Sequence, residues 1–304
     1  MKTPKFSYHA PRTVAEALDV LAEHSSDGKV LAGGQSLVPV MAMRLASPGH
    51  LVDINRLTDE LSGLEVDDEG VRIGALVRHA RLERDEKAAA SVPLVGQALR
   101  HVAHPTIRNR GTTVGSLAHA DPSAEMPTVL ALLGGHVVAR SVRGERTIDA
   151  ADFFVGPMES CLGYDELAVA AYFPAPEGRF GTAFDEICRR HGDYAMCGAG
   201  VVAVLDEAEQ YVSLKLSLVS VHDVPEVLDL TEVVRGTTYD DVDHAALGDW
   251  VRDRIDPPGD LHASADFRRH LASVLTKRLT HQAAVAAVER ASTPTSSTTA
   301  GGRP

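Results

Sequence analysis

Cysteine is scarce in this sequence, since Cys161, Cys188 and Cys197 are the only three among its 304 residues. None belongs to a C-x-x-C pair, and an iron–sulfur cluster takes four thiolate ligands. The chain therefore cannot ligate such a cluster by itself. An odd, sparse set of thiols also favours a reducing compartment over a disulfide framework.

Long hydrophobic runs and basic clusters are missing as well. No apolar stretch approaches the ~20 residues that a membrane-spanning helix needs. The polar start, Met1 to Lys5, has no hydrophobic region of a signal peptide, so we expect a cytoplasmic protein without a membrane span. The 30 Lys and Arg residues are outnumbered by 42 Asp and Glu, which gives a net charge of −12. We therefore expect no nucleic-acid partner.

The length favours two or three domains. At the N-terminus, Thr13-Val14-Ala15-Glu16 has capping-box spacing ahead of a helical apolar stripe, which predicts a helix over 13–24. A short strand over 29–31 then runs into two glycines, followed by a short helix over 37–45 and a second strand over 51–54. These patterns predict a unit of strand, glycine turn, helix and strand.

Strand and helix patterns recur further along the chain. The regular segments that we predict before residue 150 are a strand over 71–75, helices over 93–101 and 128–133, and a hairpin over 136–148. Between them, residues 105–127 show no sustained period and are predicted as a long ordered loop. Such loops inside compact domains are usually functional.

The C-terminal part follows a seam near residues 174–178. We predict antiparallel strands over 201–205 and 213–218, with one face of their sheet in water. A helix over 264–289 is predicted from an apolar stripe made of Phe267, Leu271, Val274, Leu275 and Leu279. Residues 288–304 are rich in Ser, Thr, Gly and Pro and are predicted as a disordered tail.

The first stretch with the features of a binding site is Leu31 to Pro39, L-A-G-G-Q-S-L-V-P. Consecutive glycines after a strand let several backbone N–H groups converge on one point, and the absent side chains let a phosphate approach. The turn matches neither G-x-G-x-x-G nor G-x-x-x-x-G-K-[ST], which argues against a Rossmann site or a triphosphate-binding loop. Glycine-rich turns also simply connect elements, so the turn alone leaves both readings open.

Two further stretches offer polar or aromatic groups. Within 106–127, glycines and hydroxyls accompany Asp121 and Glu125, whose carboxylates suit ribose or ribityl hydroxyls, although a purely structural loop would look similar. Within 187–198, Tyr194 follows a Gly-Asp turn, where an aromatic side chain could cover a flat ring. A half-buried tyrosine at a strand edge is the alternative.

Together the three stretches resemble the FAD-binding medium subunit of carbon monoxide dehydrogenase and the flavin domain of xanthine dehydrogenases. In that family, A-G-G-[QH]-S-L-x-P and T-x-G-G-[NS] turns hold the FAD diphosphate, and R-R-x-G-D-[FY]-A places an aromatic beside the isoalloxazine. Residues 32–39, 106–122 and 189–195 match these motifs in order. The resemblance implies an α+β protein with a two-subdomain FAD-binding fold of the PCMH type and a C-terminal domain of antiparallel sheet plus helices.

The resemblance also implies domain bounds and site residues. The bounds are 1–57 and 58–176 for the two FAD-binding subdomains and 177–287 for the C-terminal domain. No side chain is assigned as catalytic or metal-binding. The expected FAD contacts are Leu31, Ala32, Gly33, Gly34, Gln35, Ser36, Thr112, Thr113, Val114, Gly115, Ser116, Glu125 and Tyr194.

Two positions in these motifs have consequences of their own. Val114 stands where the family usually has a glycine, and a β-branched residue does not readily take positive φ. The backbone there is therefore extended or the loop is locally altered. Gln35 cannot form the histidyl–flavin bond of some related oxidases, because an amide cannot make it. We therefore expect non-covalent FAD.

The implied function is electron transfer within a heterotrimeric molybdenum hydroxylase. Electrons from [2Fe–2S] clusters in a small subunit would pass through FAD to an external acceptor, and a large subunit would hold the molybdenum cofactor. Such complexes are expected to form dimers of heterotrimers. Two alternatives stay open: a stand-alone FAD-dependent oxidoreductase or oxygenase, and a scaffold that has lost its flavin, for which Val114 is the one hint.

Overall fold

The computed structural model describes residues 2–292. Residues 293–304 of the predicted tail lie outside the described residues. The strands are β1 (Ser7–His9), β2 (Gly28–Leu31), β3 (His50–Asp53), β4 (Leu64–Val66), β5 (Gly70–Gly74), β6 (His136–Ser141), β7 (Gly144–Asp149), β8 (Phe154–Gly156), β9 (Glu159–Ser160), β10 (Leu167–Pro174), β11 (Arg179–Cys188), β12 (Ala195–Leu205), β13 (Tyr211–Val219) and β14 (Val227–Asp229).

Helices connect and cover these strands. They are α1 (Val14–His24), α2 (Leu37–Ala42), α3 (Thr58–Leu61), α4 (His79–Glu83), α5 (Glu86–Ser91), α6 (Pro93–Leu99), α7 (Pro105–Arg108), α8 (Thr113–His119), α9 (Glu125–Leu133), α10 (Ala150–Phe153), α11 (Thr231–Val234), α12 (His244–Arg252) and α13 (Ala265–Ser292). Among the described residues, none of these helices is both long and apolar enough to cross a membrane.

Three sheets divide the chain in order. A parallel sheet, β1-β3-β2, comes first, and a five-stranded antiparallel sheet, β4-β5-β10-β6-β7, follows. The third is antiparallel, β11-β12-β13-β14, and β8 and β9 form a small hairpin. The α+β fold class predicted from the sequence is confirmed.

The N-terminal unit has the predicted order of strand, glycine turn, helix and strand. Thr13 caps α1, because its hydroxyl accepts a hydrogen bond from the Glu16 amide at 3.1 Å. The Glu16 carboxylate reaches back to the amide of Arg12 at 2.7 Å. Strands β2 and β3 pair in parallel, so their carboxyl ends lie side by side, next to the turn that follows Leu31.

The predicted long loop at 105–127 is wrong. The segment contains α7, α8 and the start of α9, which are four, seven and nine residues long. Helices this short span about one to three turns, which is too few for a repeating apolar pattern to be recognised in the sequence. Pro105 at the first turn of α7 and the Thr112 cap of α8 mark their starts.

The expectation of one wet face on the C-terminal sheet is wrong for β12, although Val212 and Lys215 of β13 are exposed. Helix α13 packs against β11 and β12 from one side, and α6 and α9 pack against the same sheet from the other. Nearly every residue of β12 is buried, because its Ala-Gly-Val-Val-Ala-Val run supplies apolar side chains to both faces. The sheet therefore separates two hydrophobic cores.

Helix α13 is longer than predicted and buries a different stripe. It continues to Ser292, through the first residues assigned to the disordered tail. Leu271, Leu275 and Leu279 are buried as predicted, whereas Phe267 and Val274 are each 42% exposed. The buried stripe continues through alanines, which let the helix approach the sheet closely: a Cβ on Gly181 would lie 2.1 Å from the Ala283 carbonyl oxygen.

Truncation of one buried leucine on α13 should destabilise the protein. Leu275→Ala removes a fully buried side chain and leaves a cavity, so we expect a loss of about 2–5 kcal/mol in the free energy of unfolding. The neighbouring Val274→Ala is the control and should change it by less than about 0.5 kcal/mol. Urea unfolding measures both, and equal losses would contradict the assignment of the buried face.

Candidate functional site

A cleft of about 750 Å³ lies between the turn after β2 and the start of α8. Its size is within the ~300–1,000 Å³ usual for small-molecule and cofactor sites. Most of the residues predicted from the sequence line it: Ala32, Gly33, Gly34, Gln35, Ser36, Thr112, Val114, Gly115, Ser116, Glu125 and Tyr194.

Two predicted residues do not line the cleft. Leu31 ends β2, where its carbonyl oxygen accepts a hydrogen bond from the Ile54 amide at 3.1 Å. Thr113 is fully buried, and its hydroxyl lies 3.0 Å from Nδ1 of His79. Both residues therefore support the cleft walls from behind.

The turn at 32–36 presents backbone donors to the cleft. Within residues 2–292, the amides of Gly33, Gly34, Gln35 and Ser36 donate to no protein acceptor. Gly34 has a φ of +72°, which a residue with a side chain rarely adopts. The Gln35 side chain stabilises the turn by donating to the Gly33 carbonyl at 3.0 Å. Such a turn can bind an anion through several N–H groups.

The turn is in direct backbone contact with the segment that precedes α8. A Cβ added to Gly33 would lie 2.4 Å from the Arg110 carbonyl oxygen and 2.7 Å from Cα of Gly111. Real Cβ atoms do not approach other atoms this closely, so only glycine allows the two backbones to meet. Gly33 therefore sets the width of the cleft at its base.

A polar bridge ties the same two segments together. The Asn55 amide group donates to the Ala32 carbonyl at 2.8 Å and accepts from Arg78 at 2.6 Å. The Arg78 guanidinium also donates to the Arg110 carbonyl. Asp53, at the end of β3, accepts a hydrogen bond from the backbone N–H of Asn55 at 2.9 Å.

Helix α8 forms the opposite wall of the cleft. The Thr112 hydroxyl caps it by accepting from the Gly115 amide at 3.2 Å. Val114 lies in its first turn with ordinary helical backbone and a buried side chain, so the expectation of an extended or altered loop at this position is wrong. A helix here needs no positive φ, and Val114 belongs to the hydrophobic core as well.

Acidic and aromatic groups occupy the other end of the cleft. Burial, together with the nearby Asp121 carboxylate, raises the pKa of Glu125 to about 7. Tyr194 stands at the mouth, where it is 68% exposed. Desolvation, followed by the carboxylates of Asp121 and Glu125, raises the pKa of Tyr194 to about 12. At neutral pH the tyrosine is therefore protonated, and so is an appreciable part of Glu125.

Some lining residues lie outside the three sequence motifs. Burial, and then the Arg108 guanidinium, lowers the pKa of His79 to about 4, so its imidazole is neutral. The turn joining β8 to β9 also reaches the cleft, through Pro157 and Met158. Met158 has a φ of +61° and its amide donates to the Ala120 carbonyl at 2.9 Å. No sequence motif marks this turn, because its contribution depends on tertiary contacts.

A second buried carboxyl, on Glu186 of β11, lies behind the cleft. Burial, together with the carboxylates of Glu125 and Asp185, raises its pKa to about 8. Within the described residues, one of its oxygens, Oε2, has no hydrogen-bond partner. The ring of His101 lies 3.9 Å from the other oxygen and 3.8 Å from Asp185. The His101 ring therefore lies near both carboxylates.

Taken together, the cleft offers N–H donors at one end and hydroxyl, carboxyl and aromatic groups at the other. This arrangement suits an elongated ligand that has an anionic group, several hydroxyls and a flat ring. Two family models cover the chain accordingly. The FAD binding domain in molybdopterin dehydrogenase matches residues 4–176, and the CO dehydrogenase flavoprotein C-terminal domain matches residues 182–283.

Proteins similar in sequence match this chain along nearly its whole length. The nicotine 6-hydroxylase medium subunit of Paenarthrobacter nicotinovorans is 38% identical over 91% of this chain and 97% of its own length. The carbon monoxide dehydrogenase medium chain of Hydrogenophaga pseudoflava is 34% identical over 91% and 96%. The crystal structure of quinoline 2-oxidoreductase from Pseudomonas putida 86 matches with a TM-score of 0.89 and 36% identity, over 94% of this chain and 99% of that one.

The fold, the cleft and these matches define an FAD-binding subunit of an oxidoreductase. This chain belongs to the family of medium, FAD-binding subunits of molybdenum hydroxylases, to which the carbon monoxide dehydrogenase medium chains belong. The resemblance identified in the sequence is thereby confirmed.

A methyl group at position 33 should separate the two turns. We expect Gly33→Ala to lower the free energy of unfolding by about 1–3 kcal/mol, as overpacking does. We also expect it to weaken FAD binding at least about tenfold, which corresponds to 1.4 kcal/mol. Fluorescence titration of the apoprotein with FAD measures the binding. The control is Gly96→Ala, because a Cβ there meets no atom within 4 Å. Unchanged FAD affinity in Gly33→Ala would contradict the role of the contact.

The buried Glu186 carboxyl should make stability depend on pH. The unfolded chain ionises it near the ordinary pKa of 4.5, whereas the folded chain keeps the proton until about pH 8. The folded state therefore loses stability as pH rises between these values, and one pKa unit corresponds to about 1.4 kcal/mol.

Glu186→Gln removes this ionisation. Its free energy of unfolding, relative to the unsubstituted protein, should rise between pH 5 and pH 8 in urea unfolding experiments. The exposed Glu177→Gln serves as control and should show no such trend. A difference for Glu186→Gln that is independent of pH would count against a proton held on this carboxyl.

Proposed function

We propose that this chain binds FAD in the cleft and acts as the electron-transfer subunit of a heterotrimeric molybdenum hydroxylase. The observation that carries the proposal is the contact between the turn at 32–36 and the Arg110–Gly111 segment. Within the part of the chain that the structure describes, this contact keeps four backbone donors without protein partners in a cleft that also holds the protonatable Glu125 carboxyl. The medium-subunit relatives support the assignment.

Each wall of the cleft would hold a different part of FAD. The amides of Gly33 to Ser36 would bind the diphosphate, and Thr112, Gly115 and Ser116 would face it from α8. Glu125 would contact flavin hydroxyls, and a protonated carboxyl there can donate a hydrogen bond as well as accept one. Tyr194 would lie beside the ring system. Leu31, Thr113 and Val114 would hold the backbone of the two cleft walls in place.

The protein's part in this function is to bind and orient the cofactor. Bound FAD would supply the ability to accept electrons one at a time from [2Fe–2S] clusters and to release them one or two at a time. No side chain of this chain is assigned a catalytic role. Gln35 has an amide and cannot attach a flavin through a histidyl bond, which supports a dissociable cofactor. The buried state of Val114 removes the one hint that the flavin had been lost.

The proposed function requires partner chains. The described cysteines are free, and three thiols are too few for an iron–sulfur cluster. We therefore infer a small subunit with [2Fe–2S] clusters and a large subunit with the molybdenum cofactor, arranged as a dimer of heterotrimers in the cytoplasm. The proposed divisions of this chain are 1–57, 58–176 and 177–287, and the cleft would lie between the first two.

Purification of the tagged chain from its native host tests this function. We expect three different subunits to elute together, with about four iron atoms and one molybdenum atom per FAD if two [2Fe–2S] clusters are present. Removal of FAD should abolish electron delivery to an external acceptor while the clusters remain reducible by substrate. Added FAD should restore delivery.

Two other outcomes would overturn the proposal. A flavin-loaded chain that elutes alone and oxidises a small molecule would be a stand-alone FAD enzyme. A chain that copurifies with partners but takes up no FAD, as judged by its absorbance spectrum after reconstitution, would be a scaffold.

A further inference from the structure

Three histidines from separate elements meet on the N-terminal sheet. His9 ends β1, His24 ends α1, and His50 begins β3. One ring nitrogen from each lies within 4.8 Å of the others. In the sequence the three residues are far apart and match no metal-binding spacing, so only the parallel pairing of β1 with β3 and the packing of α1 bring them together.

The rings are already close to the distances that a shared cation requires. Nε2 of His9 lies 2.9 Å from Nδ1 of His50. A tetrahedral zinc ion with Zn–N bonds of about 2.0–2.1 Å holds its nitrogen ligands about 3.4 Å apart. A small opening of this pair would therefore admit an ion, and the His24 ring would rotate from its present stack on His50, where the ring centroids are 3.5 Å apart.

Three ring nitrogens this close together form a ready set of ligands, because a metal ion binds imidazole through a nitrogen lone pair.

A carboxylate lies near one of the three ligands. Asp27 Oδ2 lies 4.0 Å from Nε2 of His50, on the side of the ring away from His9. The other oxygen, Oδ1, accepts a hydrogen bond from the Gly49 amide at 2.8 Å, which fixes the carboxylate. Metal-bound histidines commonly have such a carboxylate behind them, because it sets the tautomer and makes the ring a stronger ligand.

We propose that His9, His24 and His50 bind one divalent transition metal ion of the zinc type, with Asp27 supporting His50. Three imidazoles select zinc, copper, nickel or cobalt over magnesium and calcium, which prefer oxygen ligands. The half-buried position leaves room for water as a further ligand. The ion would join α1, β1 and β3, so its role would be to stabilise the small sheet whose strand β2 leads to the turn at 32–36.

Zinc titration of the full-length, FAD-loaded chain tests the site. The protein must be free of a polyhistidine tag and treated with EDTA beforehand. Calorimetry should show one Zn²⁺ per chain, and Zn²⁺ should raise the melting temperature by several degrees because it binds the folded state. His24→Ala and His50→Ala should each weaken binding at least about tenfold and abolish the thermal shift, and Asp27→Asn should weaken binding about tenfold.

Controls separate this site from adventitious zinc and from the flavin site. His270→Ala removes an exposed histidine of α13 and should bind Zn²⁺ like the unsubstituted protein. FAD content should be unchanged in His24→Ala, so failure of the metal site and failure of the flavin site are distinguishable. Equal Zn²⁺ affinity in His24→Ala and the unsubstituted protein, or less than one ion per chain at saturation, would overturn the proposal.

Discussion

The contact of Gly33 with Arg110 and Gly111 is the constraint on which the cleft depends. It brings the end of a parallel strand against the segment before α8 at a distance that no side chain permits. Asn55 and Arg78 then bridge the same two backbones with hydrogen bonds. Because both contacts act on main-chain atoms, the positions of the backbone donors are fixed by the fold.

Burial shifts the pKa values of the groups around the cleft more than ion pairing does. Glu125 and Glu186 gain protons at neutral pH because they are desolvated and lie near other carboxylates, while desolvation keeps His79 neutral. Charge on these side chains is thereby limited around the proposed cofactor. Backbone donors together with a Glu125 carboxyl that is partly protonated at neutral pH would bind an anionic, hydroxyl-rich ligand without a cluster of cationic side chains.

The sequence predicted the glycine turn from a local pattern, whereas the α+β class and most of the cleft residues were implied by the resemblance of three contiguous motifs to a known family. Residues 105–127 were misread since helices of four to nine residues are too short to show a period. Val114 was misjudged because its helical backbone depends on the Thr112 cap. Phe267 and Val274 were wrongly placed in the buried stripe of α13, because that stripe runs instead through alanines. The β8–β9 turn and the three-histidine cluster arise from tertiary contacts alone.

The most direct test of the account is an experimental structure of this chain with FAD bound. The account predicts diphosphate oxygens within hydrogen-bonding distance of the amides of Gly33 to Ser36, with Gly33 still in contact with Arg110 and Gly111. A diphosphate bound away from this turn, or a turn separated from Gly111 in the FAD complex, would contradict it.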